Sequence, residues 1–311
     1  MNKDIRASID IGSNSVLLLI GDLSHGYLKE ISKKSEVTAL GRELDLNKSF
    51  HPDSMKATYE ALKGYVEECD SLGISRDKII ITATEAARVA ANSTDFFNKV
   101  TQELLIKIHT ITSEAEAYFS TKGILHNTSF KNEVITIIDI GGASTELIRV
   151  NTKKMEIVDT VSLPVGAVRS SQWLIDDLFV QNLQKIFTDF RGQLDKFQTK
   201  ELYCVAGTMT SLGNMHLNRK DFIEDDVHGL TLVSEDIDGL FKKYSDYGIQ
   251  EFLDEFPFLQ KRSGSIRGGL YLVYHLIHRL LAKELTISTY GLRYGTLLEG
   301  IVKKEFIYGN S

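Results

Sequence analysis

The chain has little with which to build a stapled scaffold. Two cysteines, Cys69 and Cys204, stand among 311 residues, too few for a disulfide framework or a zinc site. They read as buried or half-buried free thiols of a reducing compartment. Three prolines and no low-complexity tract leave no marked linker. No apolar run approaches the roughly 20 residues that span a bilayer. Met1-Asn2-Lys3-Asp4 leads directly into an apolar strand, so no secretory leader is expected. Positive charge is not in excess either: 36 Lys and Arg face 42 Asp and Glu, a net charge of −6. That argues against broad nucleic-acid binding and leaves room for a local basic cleft. The expectation is a cytoplasmic protein without a membrane or nucleic-acid partner. Hydrophobic content of 42% and charged content of 25% are ordinary, and the length suffices for two cores.

What is present is said twice. Asp10-Ile11-Gly12-Ser13-Asn14-Ser15 follows the apolar run Ile5 to Ile9, and Asp139-Ile140-Gly141-Gly142-Ala143-Ser144 follows Val134 to Ile138. Each copy is a strand, an Asp, a small-residue turn and a second apolar stretch, Val16 to Ile20 or Leu147 to Val150. A hairpin tipped with glycine lets backbone N–H groups approach an anion closely. The hydroxyls of Ser13, Ser15, Ser144 and Thr145 can add donors. The Asp ending each strand repels phosphate but is placed to hold a cation, directly or through water. One such turn is an ordinary tight turn. Two copies 129 positions apart, at Asp10 and Asp139, suggest a duplicated fold that clasps phosphates from both sides. The arrangement resembles the actin, sugar-kinase and Hsp70 superfamily. That resemblance implies an α/β fold of two ribonuclease-H-like domains with an interdomain cleft.

The remaining pattern fits two such halves. Residues 5–10, 15–22 and 27–38 read as a strand meander. A helix over 52–72, a strand at 78–82, helices at 84–91 and 95–106, a strand at 108–110 and a helix over 113–125 follow. The second half repeats the meander at 133–140, 143–150 and 154–163. One helix near 174–197, a strand at 201–205 and a helix after Ala206-Gly207-Thr208-Met209-Thr210 come next. Helices at 235–245, 249–256 and 265–282, a strand at 285–288 and a last helix over 293–307 complete it. Domains are expected over 1–126, joined by a C-terminal helix of about 297–311, and over 127–296. The polar stretch His126–Asn132 separates them.

Phosphoanhydride chemistry needs donors for phosphate oxygens, a divalent cation, and a base or water-positioning group. The paired loops supply the first, and Asp10 and Asp139 the second. For the third, Glu146 leaves the second loop and Glu116 opens the helix closing the first half. Arg88 follows a strand end, where α/β sheets present ligand groups, and a planar guanidinium suits a terminal phosphate. Plainer roles exist for each. Ser113-x-x-Glu116 also fits a capping box, Glu146 a solvated strand position, and Arg88 a surface helix.

At these residues the resemblance sharpens. Asp10 to Ser15, Thr82-Ala83-Thr84-Glu85-Ala86-Ala87-Arg88, Ile111 to Ala117, Asp139 to Glu146, Gly207-Thr208-Met209-Thr210 and Gly291-Leu292-Arg293-Tyr294-Gly295 occur in one order. Together they resemble the exopolyphosphatase and guanosine pentaphosphate phosphohydrolase (Ppx/GppA) family in its short, two-domain form. The resemblance implies hydrolysis of terminal phosphate from polyphosphate or the guanosine pentaphosphate alarmone, with Mg²⁺ or Mn²⁺ as cofactor. It implies Glu116 as catalytic base, Glu146 as second carboxylate and Arg88 on the terminal phosphate. Gly12, Ser13, Asn14, Ser15, Gly141, Gly142, Ala143, Ser144, Thr145, Gly207 and Thr208 would hold substrate phosphates, and Asp10, Asp139 and Glu146 the metal. A homodimer is left open. Departures stand at Ser113, Ala115, Ala143, Tyr294 and Ser263-Gly264. Those at Ser113, Ala115 and Tyr294 motivate an alternative, an alarmone- or nucleotide-binding sensor with weak or no turnover.

Overall fold

The computed structural model describes residues 4–126, 130 and 132–309. Of the expected separator, Asn127, Thr128, Ser129 and Lys131 lie outside the described residues. The chain divides into two compact units, Met1–His126 with Leu292–Ser311, and Asn127–Gly291.

The first unit carries strands β1 (Ile5–Ile11), β2 (Ser15–Asp22), β3 (Lys29–Val37), β4 (Ile79–Ala83) and β5 (Ile108–Thr110). Its helices are α1 (Leu44–Asn47), α2 (Pro52–Ser71), α3 (Glu85–Val89), α4 (Ser93–Leu104) and α5 (Ser113–Leu125). The sheet order is β3-β2-β1-β4-β5. β1, β2 and β3 pair antiparallel, while β1, β4 and β5 run parallel. α2 starts on His51, whose ring accepts from Asp53 N–H, with Pro52 in the first turn. Leu62, Tyr65, Val66 and Cys69 line its buried face against Ile9, Leu18 and Ile81.

The second unit carries β6 (Val134–Ile140), β7 (Thr145–Asn151), β8 (Glu156–Leu163), β9 (Glu201–Val205), β10 (Thr231–Val233) and β11 (Glu284–Ile287). Its helices are α6 (Ala167–Ile175), α7 (Phe179–Asp189), α8 (Arg191–Leu194), α9 (Ala206–His216), α10 (Glu224–Val227), α11 (Ser234–Tyr244), α12 (Ile249–Glu255) and α13 (Ser263–Arg279). The order β10-β11-β9-β6-β7-β8 contains the first unit's topology, with β6, β7, β8, β9 and β11 in the places of β1 to β5. Pairing senses match strand for strand. Even the irregularity matches. The register slips between Ile20 and Gly21 in β2 and between Arg149 and Val150 in β7, the same 129-position offset as the two loops. The fold is the duplicated ribonuclease-H-like α/β architecture. α14 (Leu292–Glu299) belongs to the first unit, where Ser8 and Thr296 hydroxyls meet at 2.5 Å.

Four expectations need correction. The helix placed over 174–197 is broken into α6, α7 and α8, because Asp177 takes a left-handed φ of 57°. The helix placed over 293–307 ends at Glu299, where Gly300 has φ 73°. β10 was not anticipated; three residues give too short a pattern to read. The cap of α5 is Thr112, not Ser113: the Thr112 hydroxyl accepts from Ala115 N–H at 3.2 Å. Glu116 therefore lies beyond the reach of a capping box. Both cysteines are free and buried, and burial pushes the Cys69 thiol up to about 12.

Candidate functional site

Each unit builds its loop in the same way. In the first, Gly12 N–H donates to Ser15 O at 2.9 Å; in the second, Gly141 N–H donates to Ser144 O at 3.0 Å. Each loop is then tied down by a distant strap. Gly41 N–H donates to Ser13 O at 2.7 Å, and Thr38 and Ala39 N–H to Asn14 O at 3.1 and 3.0 Å. In the second unit Ala167 N–H donates to Gly141 O at 2.9 Å and Val168 N–H to Gly142 O at 2.8 Å. A trans peptide sets its N–H opposite its C=O. Tying these carbonyls therefore turns the N–H groups of Asn14, Ser15, Gly142 and Ala143 to the other side, the arrangement an anion needs. The straps approach so closely that a Cβ on Gly41 would lie 2.9 Å from the Ser13 Cβ, and one on Gly166 2.5 Å from Gly142 C.

Arg169 was missed by the sequence reading. Its Nη1 donates to Ala143 O at 2.6 Å and Pro164 O at 2.9 Å, clamping the second loop. Ser13, Ser15 and Ser144 are buried in their loops. The expectation of a phosphate donor at Thr145 is not supported, since its hydroxyl is committed to Val165 O at 2.6 Å. The Thr208 hydroxyl likewise donates to Ile140 O at 3.3 Å, tying the start of α9 to the end of β6. The residue after β9, Ala206, takes a left-handed φ of 72°. The Arg262 guanidinium packs against Gly207, a contact with no signal in the local sequence.

The carboxylates differ between units. Asp139 on β6 stands directly opposite Glu146 on β7. Directly opposed residues of an antiparallel pair share a face, with Cβ atoms about 4.5–5.5 Å apart. Glu146 is buried and accepts from the Ser162 hydroxyl at 2.9 Å. Two opposed carboxylates beside a cradle of amides fit Mg²⁺, which takes one or two carboxylates and completes its shell with water and phosphate oxygens. In the first unit Asp10 stands opposite Leu17 and beside Thr82. Among the described residues no group of three or more His, Cys, Asp or Glu could hold a metal.

The first unit brings together Arg88 and Glu116. Arg88 on α3 pairs with the Glu116 carboxylate on α5, and its Nη1 also donates to Ile111 O at 2.7 Å. The two side chains are only 10% and 9% exposed, so Arg88 is not the surface helix residue that local pattern allowed. Ala115 is buried in the core with Ile111 and Phe119. Tyr294 is fully buried, its hydroxyl donating to Glu30 and accepting from Lys33, both at 2.6 Å.

The fold and loops define a class: a duplicated actin-like α/β protein with paired hairpin loops of one construction. The model of the Ppx/GppA phosphatase family matches residues 19–304, and the chain belongs to that family. A bifunctional 3-dehydroquinate synthase/phosphatase of Fusobacterium nucleatum is 29% identical over 97% of this chain. The chain spans 47% of that relative's length. Exopolyphosphatase 2 of Mycobacterium tuberculosis is 24% identical, covering 94% of this chain and 97% of its own. The crystal structure of the Aquifex aeolicus family member superposes with a TM-score of 0.76 at 26% identity, over 95% of this chain and 96% of that one. Among the described residues no helix is long and apolar enough to cross a membrane.

Proposed function

We propose that this protein is a cytosolic, Mg²⁺-dependent phosphohydrolase that removes the terminal phosphate from inorganic polyphosphate, guanosine pentaphosphate, or both. The observation that carries the reading is the amide cradle of Gly142 and Ala143 beside the opposed carboxylates of Asp139 and Glu146. Membership of a phosphatase family and a relative named an exopolyphosphatase support the same chemistry.

In this reading Arg88 grips the terminal phosphate and Glu116 orients a water for in-line attack on its phosphorus. The P–O bond to the remaining chain breaks, orthophosphate leaves, and the proton of the attacking water passes to Glu116. Asp139 and Glu146 would hold the cation. When bound, Mg²⁺ supplies positive charge for the phosphate oxygens. The amides of the two loops, fixed in advance by their straps, need no reorganisation to receive charge that develops in the transition state.

Incubating the protein with tripolyphosphate, guanosine pentaphosphate and ATP, each with and without Mg²⁺, and measuring orthophosphate tests this. Release from either of the first two, abolished by chelation, is expected. Release from none, or full release after exhaustive chelation, contradicts it.

A further inference from the structure

Arg88 and Glu116 carry the two roles that the proposed reaction needs in the first unit, and they are spent on each other. The guanidinium pairs with the carboxylate through Nη1, and the same Nη1 donates to Ile111 O. Both side chains are nearly buried. A guanidinium offers five N–H donors in a rigid fork, and a terminal phosphate presents several anionic oxygens to it. The anchor to Ile111 O lies on the residue preceding the α5 cap, so it holds Arg88 independently of the carboxylate.

We infer that Glu116 is the resting counter-ion of Arg88, and that a terminal phosphate binds by displacing it. This inference rests on the proposed phosphohydrolase reading. Displacement does two things at once. It gives Arg88 the phosphate, and it releases Glu116, next to the newly seated phosphorus, to take up water. The base is thus engaged by its own cation until a phosphate arrives, which makes the site selective for ligands with enough terminal negative charge to win the exchange. Orthophosphate, the product, meets the same competition, so the pair also speeds product departure.

The inference fixes the sign of a binding effect. If Glu116 competes with phosphate for Arg88, removing its charge strengthens phosphate binding. An intramolecular carboxylate acts at an effective concentration of millimolar or more, and a displaced one still repels the anion nearby. If Glu116 merely holds Arg88 in place, removing it weakens binding.

The probe is inorganic phosphate, titrated calorimetrically into the full chain at fixed ionic strength without divalent cation. Glu116→Gln keeps the side-chain volume and an acceptor for Arg88; Glu116→Ala removes both. Both variants are expected to bind phosphate about tenfold more tightly than the parent, and Arg88→Lys about tenfold more weakly. Circular dichroism establishes that each variant is folded, and should the alanine variant not fold, the glutamine variant decides alone. Phosphate affinity that is unchanged or weaker in the folded Glu116 variants overturns the exchange. Tighter binding in those variants, together with a parent chain that hydrolyses neither tripolyphosphate nor guanosine pentaphosphate, upholds the exchange and overturns only the hydrolase reading.

Discussion

Opposite Asp10 stands Leu17, and opposite Asp139 stands Glu146. The two hairpins are otherwise built alike, to the hydrogen bond that closes each tip and the slip that bends each second strand. The duplication therefore preserved the backbone and divided the side chains. The second unit has the carboxylate pair suited to a cation. The first keeps its second carboxylate on a helix, in Glu116, and couples it to Arg88. A loop for anions is a matter of backbone direction, and two copies of one topology deliver it twice. What is done with the anion depends on a few side chains that a duplication is free to vary.

This division can be broken most severely at Glu116. Glu116→Gln is expected to lower turnover by about 10²-fold or more, since a positioned base contributes about 10² to 10⁴, while the amide oxygen still accepts from Arg88 and the fold survives. Orthophosphate release at saturating substrate measures it; parent-like turnover removes the base from the first unit. Arg88→Lys comes next. One ammonium cannot serve Ile111 O and a phosphate with the geometry of a planar fork, so kcat/KM for tripolyphosphate is expected to fall by about 10-fold or more. An unchanged value places Arg88 outside the site.

Smaller effects sharpen the comparison. The chain carries a net charge of −6, and among the described residues the guanidinium groups set against the second unit's loop and turn are Arg169 and Arg262. Long polyphosphate should therefore gain no more than a few-fold in kcat/KM over tripolyphosphate at fixed ionic strength. A steep, continuing rise with chain length would reveal a basic track that this account lacks. The smallest effect concerns the support of Glu116. Glu299, at the end of α14, accepts from Tyr118 at 3.0 Å and pairs with Lys122, both on α5. Burial raises the Glu299 carboxyl, the Lys122 and Tyr118 contacts lower it, and the balance lies below the ordinary value of 4.5. A depressed folded pKa stabilises above the unfolded value and loses that stabilisation as pH falls through the folded one. Glu299→Gln should then cost about 1–2 kcal/mol at pH 7 and progressively less toward pH 3. Thermal melts at the two pH values check it, and an equal cost at both contradicts the assignment.

Much of this was legible in the chain because it is local. The Asp-ending strands, the small-residue turns and the meanders each depend on a handful of consecutive residues, and the 129-position echo exposed the duplication. The straps were not legible. Nothing near Gly41 or Gly166 says that a loop 25 or so residues earlier in sequence will press against it. Nothing in the local sequence marks Arg169 and Arg262 until the fold brings Ala143 O and Gly207 to them. Thr112 and Ser113 are adjacent hydroxyls, and only the turn geometry of α5 chooses between them. The same holds for Tyr294. As a departure from the family pattern it suggested altered chemistry, but its hydroxyl is tied to Lys33 and Glu30 on β3. The helix errors share one cause. Apolar residues such as Ile301 and Val302 continue a helical rhythm past a residue whose left-handed backbone has already ended it.

The central claim is the division of labour: cation in the second unit, base in the first. Its most direct test is the initial rate of tripolyphosphate hydrolysis as a function of Mg²⁺ concentration for the parent, Asp139→Asn, Glu146→Gln and Glu116→Gln. The account predicts that the first two substitutions raise the Mg²⁺ concentration for half-maximal rate. It predicts that Glu116→Gln lowers the maximal rate and leaves that concentration unchanged. A shift in Mg²⁺ dependence for Glu116→Gln, or none for Asp139→Asn and Glu146→Gln, would contradict it.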